Sequence, residues 1–265
     1  MDSIILHVPH ASLHIPDGIK SRMLLNYADL EKELLALTDR YTDELFAVQG
    51  VKMIKSQVSR LVVDMERFRN DEDEVMSKVG MGAVYELTVD GKKLRYIDGT
   101  LRETLLAKYY DPYHKYFNNQ VEECLSQYGQ CLIIDCHSFS SKPLPYELNQ
   151  DPKRPDICIG TCEFHTPKQL INYALEWVSP YYSVYLNRPF AGTFVPSEYY
   201  LRDKRVSSIM VEVNRSLYMD ESNGCKTEGF YKTKSLLLNF ITGASDIFRK
   251  SLKETELSMG RISRQ

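Results

Sequence analysis

The residues of this chain best suited to chemistry stand at the ends of apolar runs. Cys131-Leu132-Ile133-Ile134 leads into Asp135-Cys136-His137-Ser138-Phe139-Ser140-Ser141, a strand-like pattern ending in a carboxylate, a thiol, an imidazole and hydroxyls. Ligands of open α/β sheets bind beyond the carboxyl ends of the strands. A His in that position can be aimed at a metal or a substrate, and it can equally cap the sheet. The segment Ile4-Ile5-Leu6-His7-Val8 behaves alike and runs into Pro9-His10-Ala11-Ser12. Pro9 has no N–H for a ladder and ends the strand, which leaves His10 in the loop beyond it. Alternation puts Ile4, Leu6 and Val8 on one face and Ile5 and His7 on the other. Two strands delivering His10 and His137 to one sheet edge suggest a metal site, since neutral imidazole is a common zinc ligand. His7 reads as structural and His14 as a spare.

Two further segments carry charge beside apolar strands. Ser59-Arg60-Leu61-Val62-Val63-Asp64-Met65-Glu66-Arg67 sets two arginines and two acids around a short extended run. Arginine forks suit carboxylate ligands, whereas an exposed salt-bridge cluster would contribute little. Ile209-Met210-Val211-Glu212-Val213-Asn214-Arg215 encloses a glutamate in an apolar strand. A buried carboxylate is costly unless paired or used, so Glu212 is either a general base or the partner of an arginine such as Arg60. Leu186-Asn187-Arg188-Pro189-Phe190-Ala191-Gly192 is a polar turn and small-residue loop that either positions a substrate or only connects elements.

The elements that must hold these residues alternate between strand and helix, which favours an α/β layer architecture. Helical spacing covers about 28–48, placing Asp39 on the first helix, and 52–58 and 61–63 read as extended. Residues 65–80 are irregular. A hairpin over 84–97 turns at Asp90-Gly91. A helical region over 101–128 is divided near Asp111 by Pro112. The loop 142–154 holds three prolines and reads as exposed. Strands follow at 156–160, 183–186 and 208–213. Thr166-Pro167 starts a helix that runs to about 178, with the Thr166 hydroxyl as its cap. Residues 228–252 form the closing helix.

With 265 residues, 43% hydrophobic and 26% charged, the chain suits one substantial domain. We expect that domain over 1–255, with 65–100 as an excursion able to cover the site and 256–265 as a polar tail. A net charge of −3 gives no reason to expect nucleic-acid binding. No apolar run approaches the ~18 residues of a membrane span, and no signal peptide is visible. The six cysteines form no CxxC pair and read as reduced thiols of a cytoplasmic protein. Cys158 and Cys162 are a weak candidate for a cysteine metal site.

Taken together, the motifs resemble the N-formylglutamate amidohydrolase family. The resemblance runs to about Tyr218. It rests on Val8-Pro9-His10-Ala11-Ser12, Leu37-Thr38-Asp39-Arg40-Tyr41-Thr42, Ser59-Arg60 with Val63-Asp64-Met65-Glu66-Arg67, Asp135-Cys136-His137-Ser138, Asn187 to Gly192, and Val211-Glu212-Val213-Asn214-Arg215. Their order is also distantly similar to that of the zinc carboxypeptidases. The resemblance implies a three-layer α/β fold, a mixed and mostly parallel sheet with helices on both faces, of the zinc exopeptidase-like kind. It implies hydrolysis of an N-acyl amino acid amide, N-formyl-L-glutamate first, and otherwise another N-acylated amino acid or small peptide. Zinc, or another divalent metal, would be held by His10, Asp39 and His137. Glu212 would be the base, Arg60 the oxyanion partner and Asp135 the group orienting His137. Arg67, Asp64, Asn187, Arg215 and Ser138 would contact a small acidic substrate. The chain departs from the carboxypeptidase pattern twice. Glu66 stands where the clamp usually carries Asn, which weighs against a strict formylglutamate preference. No glutamate follows His10 by three residues, which is why Asp39 is taken as third ligand.

Two other classes fit some of these residues. Two histidines and a carboxylate also describe the facial triad of non-haem iron oxygenases, though those sit close together on all-β scaffolds. A non-catalytic binder of an acidic small molecule would need only Arg60 and Arg67, and would not need His10, His137 and Glu212 together.

Overall fold

The computed structural model describes residues 2–178 and 182–262. The apolar runs form six strands: β1 (Ile4–Val8), β2 (Lys52–Lys55), β3 (Cys131–Phe139), β4 (Ile157–Gly160), β5 (Val184–Leu186) and β6 (Val206–Asn214). They join one sheet in the order β2-β1-β3-β6-β4-β5, parallel throughout except that β4 runs antiparallel to β6. Every residue of β1, β3, β4 and β6 is buried, as expected of strands covered on both faces.

Helices α1 (Asp17–Lys20), α2 (Tyr27–Leu37), α3 (Thr42–Leu45), α4 (Gly99–Leu105), α5 (Asp111–Tyr128), α6 (Lys168–Val178) and α7 (Gly229–Ile262) complete the chain. Alternation sorts each central strand between two layers. Ile4, Leu6, Val8, Leu132, Ile134, Ile209, Val211 and Val213 pack in one cluster with Leu45 of α3, Leu170 of α6 and Phe240 of α7. Ile5 and Ile133 pack on the other face with Phe117 and Val121 of α5. The result is the expected three-layer α/β fold. It follows that His7, Asp135, His137 and Glu212 all belong to the α5 face. Register then makes neighbours of His7 and Asp135, and of His137 and Glu212.

Several local expectations change. The helix expected over 28–48 is broken: Thr38 is extended (φ −82°, ψ 132°) and Tyr41 is left-handed (φ 67°). The break lets the Asp39 N–H reach the carbonyl of His10 at 3.0 Å, so Asp39 lies between α2 and α3 rather than on a helix. Residues 61–63 form a turn, not a strand. Their side chains are still fully buried, and the Arg95 guanidinium takes the carbonyls of Leu61 and Val62 that a ladder would have used. The 84–97 hairpin keeps its Asp90-Gly91 turn but only one bridge, Leu87 to Lys93. A π turn (Leu106–Tyr110) separates α4 from α5, and Pro112 sits in the first turn of α5. The Thr166 hydroxyl accepts from the Cys162 N–H and donates to the Ser208 carbonyl instead of capping α6. β3 is longer than its apolar run and carries Asp135 and His137 within it. Helix α7 is longer than expected, and residues 263–265 of the polar tail lie outside the described residues. No helix of the described residues is long and apolar enough to cross a membrane. All six cysteines are free thiols.

Candidate active site

β1 and β3 end side by side, and the chain leaves β1 toward β2 on one flank and returns through β3 on the other. Such a switch opens a crevice at the carboxyl ends of the strands. Here it forms the floor of a cleft of about 1370 Å³.

At the floor, His10, Asp39 and His137 converge. His137 Nδ1 lies 3.1 Å from Asp39 Oδ2, and His10 Nδ1 lies 3.6 Å from the same oxygen. All three side chains are buried, and one ligand atom from each lies within 4.8 Å of the others. His10 Nε2–H donates to Asp64 Oδ1 at 2.8 Å, while His10 Nδ1 is buried without a hydrogen-bond partner. A buried imidazole lone pair beside a carboxylate and a second imidazole fits a divalent cation, and His and Asp oxygen–nitrogen sets suit zinc. His7, Glu66, Asp135 and His137 form an overlapping group. Hydrogen bonds account for that group: Asp135 Oδ1 takes His7 Nδ1 at 2.8 Å and His137 Nε2 at 2.9 Å, and Oδ2 takes the Phe194 N–H at 2.8 Å. Asp135 therefore orients His137, as expected, and also His7, whose structural reading agrees with its rings of contact, Phe194 at 4.3 Å and Phe117 at 5.1 Å.

Charge around these groups is balanced in layers. Burial pushes the Asp39 carboxyl up, but His10, His137 and Arg215 together hold it well below the usual range. Burial pushes His137 down, but the charges of Glu66 and Asp135 hold it well above the ordinary imidazole value. Asp64 is treated likewise, with Arg60 as the main opposing charge. Glu212 goes the other way. Burial lifts its carboxyl to about 8, with Asp39 and Glu66 adding and His137 and Arg215 opposing. Its Oε2 is buried without a partner, and it is not paired with Arg60.

The structure separates the other site candidates. Arg67 lines the cleft, and its Nε has no hydrogen-bond partner; Asp64 is 3.8 Å away. Arg60 also lines the cleft, but its Nε and Nη2 are held by Asp64 Oδ2 at 3.1 and 2.7 Å. Asp64 is fully buried, takes Tyr85 O–H at 2.5 Å as well, and does not line the cleft. It therefore holds His10 and Arg60 rather than touching a substrate. Arg215 lines the cleft but donates to Asp39 Oδ1 at 2.9 Å and to the Ala36 carbonyl at 2.6 Å, and Ser138 accepts from its Nε at 3.3 Å. Asn187 is exposed and bonds to Thr161, away from the cleft, although Pro189 to Gly192 of its loop do line it. His14 is exposed and lies outside the cleft. Cys158 donates to the Phe190 carbonyl and takes no part in a metal cluster among the described residues.

The N-formylglutamate amidohydrolase family model matches residues 2–219. The chain belongs to the N-formylglutamate amidohydrolase family. It is 25% identical over 230 residues to an N-formylglutamate deformylase of Pseudomonas putida, covering 83% of this chain and 82% of the relative. It is 26% identical over 235 residues to the enzyme of that name from Pseudomonas aeruginosa, covering 82% of each. The fold matches a crystal structure of N-formylglutamate amidohydrolase from Ralstonia eutropha JMP134 with a TM-score of 0.79 at 18% identity, over 94% of this chain and 95% of that one.

Within the family motifs, one residue was undervalued by its sequence context. Glu66 appears there only as a departure, yet its Oε1 lies 3.0 Å from His137 Nε2 and its Oε2 lies 3.7 Å from His10 Nδ1. His114 was not singled out at all. It lines the cleft, and burial pushes its imidazole down to about 4. Tyr85 was hidden too, one of 18 tyrosines with nothing in the sequence to mark it.

Proposed function

We propose that the protein is a zinc-dependent hydrolase of the amide bond of an N-acyl amino acid, with N-formyl-L-glutamate as a substrate, cleaved to formate and glutamate. The observation that carries this reading is the unpartnered His10 Nδ1 facing Asp39 beside His137, with Glu212 on the adjacent strand. Family membership and the names of the two Pseudomonas relatives support the substrate.

His10, Asp39 and His137 would hold the ion. Bound there, zinc supplies a Lewis acid that polarises a carbonyl and acidifies a water. Asp64 keeps the His10 proton on Nε2, so Nδ1 remains a lone-pair donor, and Asp135 does the same for His137 from its Nε2 side. Glu212 takes the proton of the attacking water on its free oxygen and passes it to the leaving amine. Burial raises the Glu212 carboxyl and so favours holding that proton between the two transfers, while the charge of a bound cation would oppose the rise and leave the group able to accept it. Arg60, fixed by Asp64 and Tyr85, presents positive charge to the oxyanion. Arg67 is the freer guanidinium and anchors a carboxylate of the acidic substrate. Arg215 holds Asp39 in place.

Formate release from N-formyl-L-glutamate, measured with zinc-loaded and chelator-treated protein, tests the reading. Zinc-dependent release is expected. Equal release from both samples would remove the metal from the reaction. No release from zinc-loaded protein would remove N-formylglutamate as a substrate.

A further inference from the structure

One carboxylate oxygen at the floor of the cleft is not used by the proposed reaction. Glu66 lines the cleft, and its side chain is 18% exposed there. Its Oε1 accepts from His137 Nε2–H at 3.0 Å. Its Oε2 meets no donor among the described residues. It stands 3.7 Å from His10 Nδ1, beyond hydrogen-bonding distance, and that nitrogen is the lone-pair atom of the proposed metal site. Glu66 does not join the converging ligand atoms of His10, Asp39 and His137.

Two neighbours define what this oxygen can meet. His137 is the register partner of Glu212, so Glu66 and Glu212 both flank the same imidazole. The charge of Glu66 also adds to the rise of the Glu212 carboxyl. Glu212 passes its proton to the leaving amine in the proposed reaction, which brings the substrate nitrogen to this side of the floor. Arg67, the next residue, lines the same cleft with its Nε unpartnered. Its ion-pair partner is Asp64 at 3.8 Å, not Glu66. Adjacent residues thus present a carboxylate and a guanidinium that do not pair with each other.

We infer that Glu66 is the amine-binding group of the cleft: its Oε2 accepts the amide N–H of the substrate and then the ammonium of the released amino acid. The inference rests on the proposed amide hydrolysis. At neutral pH the amide N–H is the only N–H or O–H donor of N-formylglutamate, and both of its carboxylates are repelled by Glu66. Hydrolysis adds water across the C–N bond. Formate leaves as a carboxylate, and the nitrogen that carried one hydrogen leaves as an ammonium with three. A hydrogen bond to Glu66 strengthens as positive charge develops on that nitrogen, which favours the departing amine over the bound amide. Glu66 and Arg67 together match the ammonium and carboxylate that an α-amino acid carries on a single carbon.

The test is calorimetric binding of L-glutamate and glutarate to zinc-loaded protein near neutral pH. The two ligands share both carboxylates and differ by the α-ammonium. Wild-type protein should bind L-glutamate at least about tenfold more tightly, the scale of one hydrogen bond to a charged group. Glu66→Gln should bring the two affinities together. Its amide oxygen stays with His137 Nε2–H, which turns the NH₂ group toward the ammonium, donor against donor. Its zinc affinity, read by chelator competition, should stay near that of the wild type. Equal affinity of the wild-type protein for the two ligands would overturn the inference whatever the variant does. An undiminished preference in Glu66→Gln would assign the amine to the ion instead and overturn it as well. Loss of zinc from Glu66→Gln as complete as from His137→Ala would make Glu66 a metal ligand and overturn it too. Formate release on the same samples separates the two readings. Turnover of N-formyl-L-glutamate with equal ligand affinities would leave the reaction and remove the amine site, whereas no turnover would remove the reaction and this inference together.

Discussion

Asp64→Asn should weaken metal binding while leaving every proposed ligand in place. The carboxylate accepts on both sides. Oδ1 takes His10 Nε2–H at 2.8 Å and the Glu66 N–H at 3.0 Å. Oδ2 takes Tyr85 O–H at 2.5 Å and two Arg60 N–H groups at 2.7 and 3.1 Å. An amide accepts on one side only. Turning its NH₂ toward Arg60 sets donor against donor and takes the carboxylate away from a largely buried guanidinium, at a cost below the about 3–5 kcal/mol of a wholly unpaired buried charge because Tyr85 and the Leu37 carbonyl remain. The amide oxygen therefore stays with Arg60 and Tyr85, and the NH₂ meets His10 Nε2. His10 then accepts at Nε2 and carries its proton on Nδ1, the atom that faces Asp39 at 3.6 Å. Losing the orienting partner of a metal-ligating His lowers affinity by roughly 10–100-fold, equivalent to about 1.4–2.8 kcal/mol. Competition with a chromophoric zinc chelator, on wild-type and Asp64→Asn protein of native circular dichroism, reads this directly. Equal zinc affinity in the two proteins would refute the tautomer argument and with it the role of His10 Nδ1.

Glu212→Gln should retain stoichiometric zinc and lose at least ~100-fold in kcat on N-formyl-L-glutamate; near-normal turnover would remove Glu212 as the base. Burial lifts Glu33 to about 7 although its carboxylate takes the Val89 N–H at 2.6 Å. The folded state therefore holds this proton more tightly than the unfolded one, and stability falls as pH rises from about 4.5 to about 7, by at most about 3 kcal/mol. Glu33→Gln should lack that loss and be the more stable protein at pH 8; urea midpoints of both proteins with identical pH profiles would contradict it. Gly160→Ala would bring a Cβ within 2.2 Å of the Gly192 carbonyl and 2.4 Å of Met210 Cε. Overpacking of this kind costs about 1–3 kcal/mol, and the displaced loop lines the cleft, so a lower urea midpoint and a raised KM are expected together; a wild-type KM would show that the loop does not shape the site.

Much of the fold was legible because burial writes itself into local pattern. The apolar runs at Ile4, Cys131, Ile157 and Ser208 are all strands, and the Asp90-Gly91 turn and the Pro112 boundary stand where turn and proline chemistry put them. The failures share a cause. Leu61 to Val63 are as apolar as a strand, but Arg95, 34 residues later in the chain, supplies their hydrogen bonds, and no window of local sequence contains both. Thr38 to Tyr41 keep helical spacing, yet the carbonyl of His10 and the guanidinium of Arg215 hold Asp39 out of the helix.

The site divides in the same way. Residue type and strand position pointed to His10 and His137 at one sheet edge and to Glu212 inside a buried strand, because a strand's apolar run and its alternation are written in local sequence. Which arginine remains free was decided by tertiary structure. Arg60 and Arg67 look equivalent in sequence, but Asp64 engages Arg60 at 2.7 Å and stands 3.8 Å from Arg67. Tertiary structure also buried Asp64 outside the cleft lining, turned Asn187 toward Thr161, engaged Arg215 with Asp39 and brought Glu66 to His137. Strand register is set by a repeat of two residues and can be read locally. The partner of a buried charge is set by whichever opposite charge the whole chain brings within hydrogen-bonding distance, and that distance exists only once the layers have packed.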